Sequence, residues 1–145
     1  MPRFDQDKMI KLVSELRTSL KRLRHLSKLS QSDFLSDPDK VGSAKYHFIV
    51  AIESCIDMCN HIIAQNGLRV PEDYADTFRV MAEAGALENG FAQQLRNMAK
   101  FRNRLVHLYW EVDDRQLYEI LQNRLDHFKT FLDRLSTFLN WANSN

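Results

Sequence analysis

Apolar positions recur at spacings of three and four along most of the chain, the period of a helix that buries one face. Met9, Val13, Leu16, Leu20 and Leu23 step in this way through a helix predicted over roughly residues 5–30. Ser32, Asp33, Ser36, Asp37 and Pro38 interrupt the pattern and predict a loop. A second helix is predicted over roughly residues 40–65. Its apolar face, Phe48, Ile49, Ile52, Cys55, Ile56, Cys59, Ile62 and Ile63, is broad enough to make it central, and Gly67 closes it. Pro71, Glu72 and Asp73 suit the first turn of a third helix, which carries Phe78, Met81 and Ala82 and stops near Gly85. A fourth starts around Asn89 and Gly90, carries Phe91, Leu95, Met98 and Phe101, and leads into residues 102–107. Asp113 and Asp114 read as caps of a last long helix striped by Leu117, Leu121, Leu125, Phe128, Leu132, Leu135 and Leu139. The expected fold is all-α: one domain over residues 1–145, an antiparallel bundle of four to five helices.

Composition narrows the class. Only 4 Gly and 3 Pro in 145 residues leave little turn chemistry for a many-stranded β fold. The net charge of +1 gives no global electrostatic case for nucleic acid. The basic residues are uneven, however. Arg17, Lys21, Arg24 and Lys28 form a stripe beside the first apolar seam, and Arg96, Lys100, Arg102 and Arg104 follow one another without an acid. The first stripe reads either as a solvated flank or as an RNA-facing ridge. No signal peptide and no apolar stretch of membrane-spanning length is expected, so a reducing cytoplasm with free thiols is the expected setting.

Few groups stand out as chemistry. Cys55 and Cys59 share a helical face with His61 close behind, but a metal site wants three or four converging ligands. Both fall inside the apolar stripe, where thiols act as small hydrophobes, and no metal is expected. Glu53, Asp57 and His61 sit four apart and read as a solvated polar face or as a carboxylate–histidine pair. Nothing in the sequence assigns His25, His47 or His127 a role. No phosphate-binding glycine loop and no serine or cysteine nucleophile motif occurs.

The remaining constellation is Arg102, Asn103, His107 and Tyr109. Arginine can hold a phosphate by two parallel hydrogen bonds, and histidine can exchange a proton near pH 7. The alternative is a surface arginine with a histidine offsetting the helix dipole at a C-terminus. Five positions along an ideal helix turn two side chains away from each other. The pair converges only through a break in the helix, the reach of arginine, or a second subunit.

The order Arg102, Asn103, four residues from Arg102 to His107, then Tyr109 resembles the signature of the HepT family of HEPN domains. The likeness extends to Tyr46–Gly67 with Glu53, to the connection Gly67–Tyr74, and to Met98–Tyr109, covering roughly residues 40–140. It implies a small helical toxin that cleaves RNA without metal or cofactor, as a homodimer that joins two copies of the motif in one cleft. Arg102, Asn103 and His107 would be catalytic, and Arg17, Lys21, Arg24, Lys28, Lys100 and Arg104 the candidate RNA contacts. The implied partners are RNA and a minimal nucleotidyltransferase antitoxin that adds AMP to Tyr109, with neither DNA nor a membrane. The rival expectations are a non-catalytic helical partner of such a nucleotidyltransferase, or a plain assembly bundle.

Overall fold

The computed structural model describes residues 1–142; residues 143–145 of the expected domain lie outside them. Seven α-helices and one 3-10 turn occur among the described residues, with no strand. They are α1 (Gln6–Ser27), α2 (Gln31–Leu35), α3 (Pro38–Gln65), α4 (Tyr74–Glu83), α5 (Asn89–His107), the 3-10 turn Tyr109–Glu111, α6 (Asp114–Asn123) and α7 (Asp126–Leu139).

Local chemistry explains the boundaries. Asp5 caps α1 by accepting from the Lys8 N–H, and Asp73 caps α4 by accepting from Asp76 at 2.7 Å. Pro71 and Glu72 thus precede α4 rather than open it, because the capping carboxylate belongs to Asp73. The proline that does stand in a first turn is Pro38, with Asp37 as its N-cap, inside the stretch predicted as loop. The same stretch folds into α2 because Ser30 caps it and Phe34 is fully buried. Gly67 ends α3 with φ +60°, and the Leu68 N–H reaches back to the Ile63 carbonyl at 3.1 Å. Asp113 caps α6, accepting from the Arg115 N–H at 2.9 Å.

The predicted last long helix is two helices. Its apolar stripe runs unbroken through Leu117, Leu121 and Leu125 to Leu139, so periodicity alone carried the prediction across the break at Arg124. There the Asn123 side chain donates to the Glu119 carbonyl at 3.0 Å, a local bond that competes with helix continuation.

The central helix is α3, packed along α1 and touching α4, α5, α6 and α7. Its Phe48, Ile52, Ile56 and Ile62 are buried, and Phe48 meets Phe101 of α5 edge-on at 5.9 Å. Contrary to the sequence expectation, α3 has the length and mean hydropathy to cross a bilayer. Its apolar side chains are instead taken up by the surrounding helices, with 61% of the most apolar stretch buried. Arg69 pins the α3–α4 connection, donating to Asp76 at 2.7 and 3.1 Å and to Glu83 at 3.0 and 3.1 Å. The two bonds to Asp76, with one from the Glu72 N–H, hold its carboxyl down at about 2.

Candidate active site

Helix α5 runs without a break from Asn89 to His107, so no kink brings Arg102 and His107 together. At the helical step they lie about 140° apart around the axis. Arg102 turns inward toward α3. Its Nε and Nη2 both donate to Oε1 of Glu53, at 3.1 and 2.6 Å, and its Nη1 donates to Oδ1 of Asn103 at 3.0 Å. Its guanidinium also stands 4.9 Å from the ring centroid of Tyr74 on α4. The side chain is only 12% exposed. Asn103 therefore orients the arginine; no hydrogen bond joins it to His107 among the described residues.

His107 is the last residue of α5, and its imidazole is exposed. Leu108 leaves the helix, and the chain turns through Tyr109–Glu111. This segment displays apolar surface: Val106, Leu108, Tyr109 and Trp110 are exposed, Trp110 by 77%. Tyr46 of α3 is exposed as well.

Lys45 was absent from the sequence reading. It is buried on α3, with its Nζ 4.0 Å from the centroid of the Tyr109 ring and 3.3 Å from Oδ1 of Asp114. One lysine thus joins α3, the 3-10 turn and the start of α6. Lysine is almost never buried unless paired, which was the one signal that could have drawn attention to it: a cation inside the apolar period of a central helix. Asp114, expected as a cap, is this lysine's counter-ion.

Glu53, Asp57 and His61 do not form one polar row. Glu53 holds Arg102, while Asp57 is exposed, its carboxyl raised by partial burial and by the nearby charges of Glu53 and Glu15. His61 is buried and accepts the Asp5 N–H on Nε2 at 2.8 Å, stapling the chain's start to the end of α3. Burial and Lys8 lower its pKa. Cys55 and Cys59 are buried free thiols, both pushed upward by burial, as packing residues are.

The six expected RNA contacts separate into two places. Arg17, Lys21, Arg24 and Lys28 line a groove of ≈ 560 Å³ between α1 and α7, shared with Lys129 and Asp133. They lie about 160° around α1 from Glu15 and Lys8, the α1 charges that reach Asp57. That ridge faces away from Glu53 and Arg102. Lys100 and Arg104 line another groove, of ≈ 410 Å³, between α5 and α6. With His107 they stand at intervals of four and three along α5 and so share one side of it.

The chain matches the family described as ribonuclease HepT-like over residues 16–135. It is 27% identical over 127 residues to an mRNA nuclease HepT of Shewanella oneidensis, covering 88% of this chain and 95% of that one. It is 24% identical over 123 residues to a tRNA nuclease HepT of Aphanizomenon flos-aquae, covering 83% and 82% respectively. Its fold is similar to a tri-AMPylated Shewanella oneidensis HEPN toxin solved in complex with an MNT antitoxin, with TM-score 0.85, 26% identity and coverage of 92% of this chain and 99% of that chain.

Proposed function

The chain belongs to the ribonuclease HepT-like family, and on that premise we propose that it is a cytoplasmic, metal-independent endoribonuclease toxin. Its active site is completed between two copies, and a partner nucleotidyltransferase silences it by adding AMP to Tyr109. The likeness to nucleases of mRNA and of tRNA supports ribonuclease chemistry, and the likeness to an AMPylated toxin held by an antitoxin supports the mode of control.

The observation that carries the reading is the divergence of Arg102 and His107 on an unbroken α5. Neither side chain serves the other within one chain, yet His107 stands beside an exposed apolar strip from Val106 to Trp110. A second copy seated on Val106, Leu108 and Trp110 would bury those side chains, leave the Tyr109 ring open to the cleft and set the two motifs across it. The reaction then needs no outside nucleophile. The RNA 2′-oxygen attacks the adjacent phosphorus as one His107 takes its proton, and the bond from phosphorus to the 5′-oxygen breaks. The other His107 protonates that leaving oxygen, so the products are a 2′,3′-cyclic phosphate and a 5′-hydroxyl. Arg102 stabilises the extra negative charge on the five-coordinate phosphorus, with Glu53 and Asn103 holding the guanidinium in place. Lys100 and Arg104, on the His107 side of α5, carry the flanking backbone of the RNA.

Purified protein is expected to cleave RNA in the presence of a chelator and leave the cyclic phosphate end. His107→Ala should remove that activity with little change in Tm, whereas Arg102→Ala should remove it and also lower Tm, because it breaks the pair with Glu53. Cleavage that persists in His107→Ala would assign the chemistry to another group.

A further inference from the structure

We infer that Lys45 forms an anion subsite beneath Tyr109: its ammonium fixes the ring in the unmodified protein and binds the phosphodiester once the phenol carries AMP. The inference rests on the reading of Tyr109 as the acceptor.

Three features support it. Lys45 is buried, with its side chain 8% exposed, whereas Tyr109 above it is 49% exposed. A cation in so dry a place needs compensation, and the aromatic face at 4.0 Å supplies part of it. The other part comes from Asp114 at 3.3 Å, its one ion-pair partner among the described residues; that carboxylate is 47% exposed and shared with water. An ammonium has three donors, so this arrangement leaves capacity for a second anion. Finally, Lys45 is the cation whose ammonium lies against the Tyr109 ring, whereas the Arg102 guanidinium lies against Tyr74 of α4 and pairs with Glu53.

Modification joins the Tyr109 phenolic oxygen to the α-phosphorus of ATP. The bond from that phosphorus to the β-phosphate oxygen breaks, pyrophosphate leaves, and the phenolic proton passes to solvent or to the transferase. A neutral hydroxyl thereby becomes a phosphodiester anion. It hangs from the rim of the ring that Lys45 faces, so rotation about the new C–O bond brings its oxygens toward Nζ. A charge-assisted hydrogen bond to a partly dehydrated ammonium is strong enough to hold the adduct down over the site.

The test compares the wild-type protein with Lys45→Met, Lys45→Arg and Asp114→Asn, each co-expressed with its nucleotidyltransferase partner and also prepared without it. Intact mass follows the rate of AMP addition, hydrogen exchange follows residues 107–114, and Tm is read with and without AMP. Lys45→Met keeps the apolar stem and should be modified about fivefold more slowly, the scale of losing one net hydrogen bond from the ammonium to the incoming phosphate. Its amides after His107 should exchange faster, while Lys45→Arg should stay near wild type in both. AMP should raise the Tm of the wild-type protein and leave that of Lys45→Met unchanged. In Asp114→Asn the ammonium lacks its counter-ion until the phosphodiester arrives, so the AMP-dependent rise should exceed that of the wild type. Should Lys45→Met not fold, the Asp114→Asn comparison decides. Equal modification rates and equal Tm gains across the variants overturn the subsite alone. A wild-type protein that gains no AMP at Tyr109 overturns the acceptor reading and the subsite with it.

Discussion

Replacing Glu53 by glutamine tests whether the carboxylate paired with Arg102 acts through that arginine or on the reaction itself. Three hydrogen bonds aim the guanidinium, two of them to Oε1 of Glu53. Arg102 is 12% exposed and Glu53 38% exposed, which places the pair between a surface ion pair and a buried one. Exposed pairs contribute about 0–1 kcal/mol, whereas breaking a fully buried pair costs about 3–5 kcal/mol. The solvent access of Glu53 draws the value toward the lower range, and a glutamine oxygen still accepts one N–H. A loss of about 1 kcal/mol follows, a fall of about 4 °C in Tm for a chain of this size. The effect on cleavage should be larger than on the fold, because a loosened guanidinium no longer sits where charge develops. Removing Arg102 altogether should cost about 10²–10³ in kcat, the scale for losing one group that stabilises the transition state. Glu53→Gln should cost about tenfold, equivalent to ~1.4 kcal/mol. The assay is a double-mutant cycle in kcat/KM on one RNA substrate. If Glu53 only holds Arg102, Glu53→Gln costs nothing further in the Arg102→Ala background. A second tenfold loss in that background would refute the argument and make Glu53 a proton-transfer group in its own right.

Other expectations test the assembly, the pH response and the RNA path. If the proposed dimer forms through the 106–110 strip, Trp110→Ser should give a monomer in light scattering and abolish cleavage; a dimer that survives places the interface elsewhere. His47, His61 and His127 are each lowered first by burial, then by Arg22, Lys8 and Arg124 respectively. Their folded pKa values lie below the ordinary value of 6.5, so the unfolded chain binds more protons in that window. Tm should therefore be steady above about pH 6.5 and fall as pH drops below it. His61→Gln should flatten part of that fall, and an unchanged profile would remove His61 from the account. Neutralising Lys100 and Arg104 to glutamine should raise KM for RNA. It should also lower the slope of log affinity against log salt by about 0.7 for each lost phosphate contact. An unaltered salt slope would move the RNA path to another face, the α1–α7 groove being the next to test.

The apolar period alone located every long helical stretch and identified α3 as central, because that period reports which face of a helix must leave water, and that demand is local. The same reasoning carried the last stripe across the kink at Arg124, since a bend can leave the buried face continuous. The motif residues were legible for a similar reason: Arg102, Asn103, His107 and Tyr109 lie within eight positions of one another. What they touch was not. Glu53 meets Arg102 across 49 residues, and His61 meets Asp5 across 56. Lys45 reaches Tyr109 and Asp114 only because α3 and the segment after α5 pack side by side. Each of these contacts depends on the rotation and sliding of one helix against another, and those are set by interlocking side chains across the whole core. A slide of one helical turn would leave the apolar stripes facing the core, yet it would move Glu53 off Arg102 and Lys45 out from under Tyr109. Periodicity therefore determined the elements and their buried faces, while tertiary packing decided which charges meet.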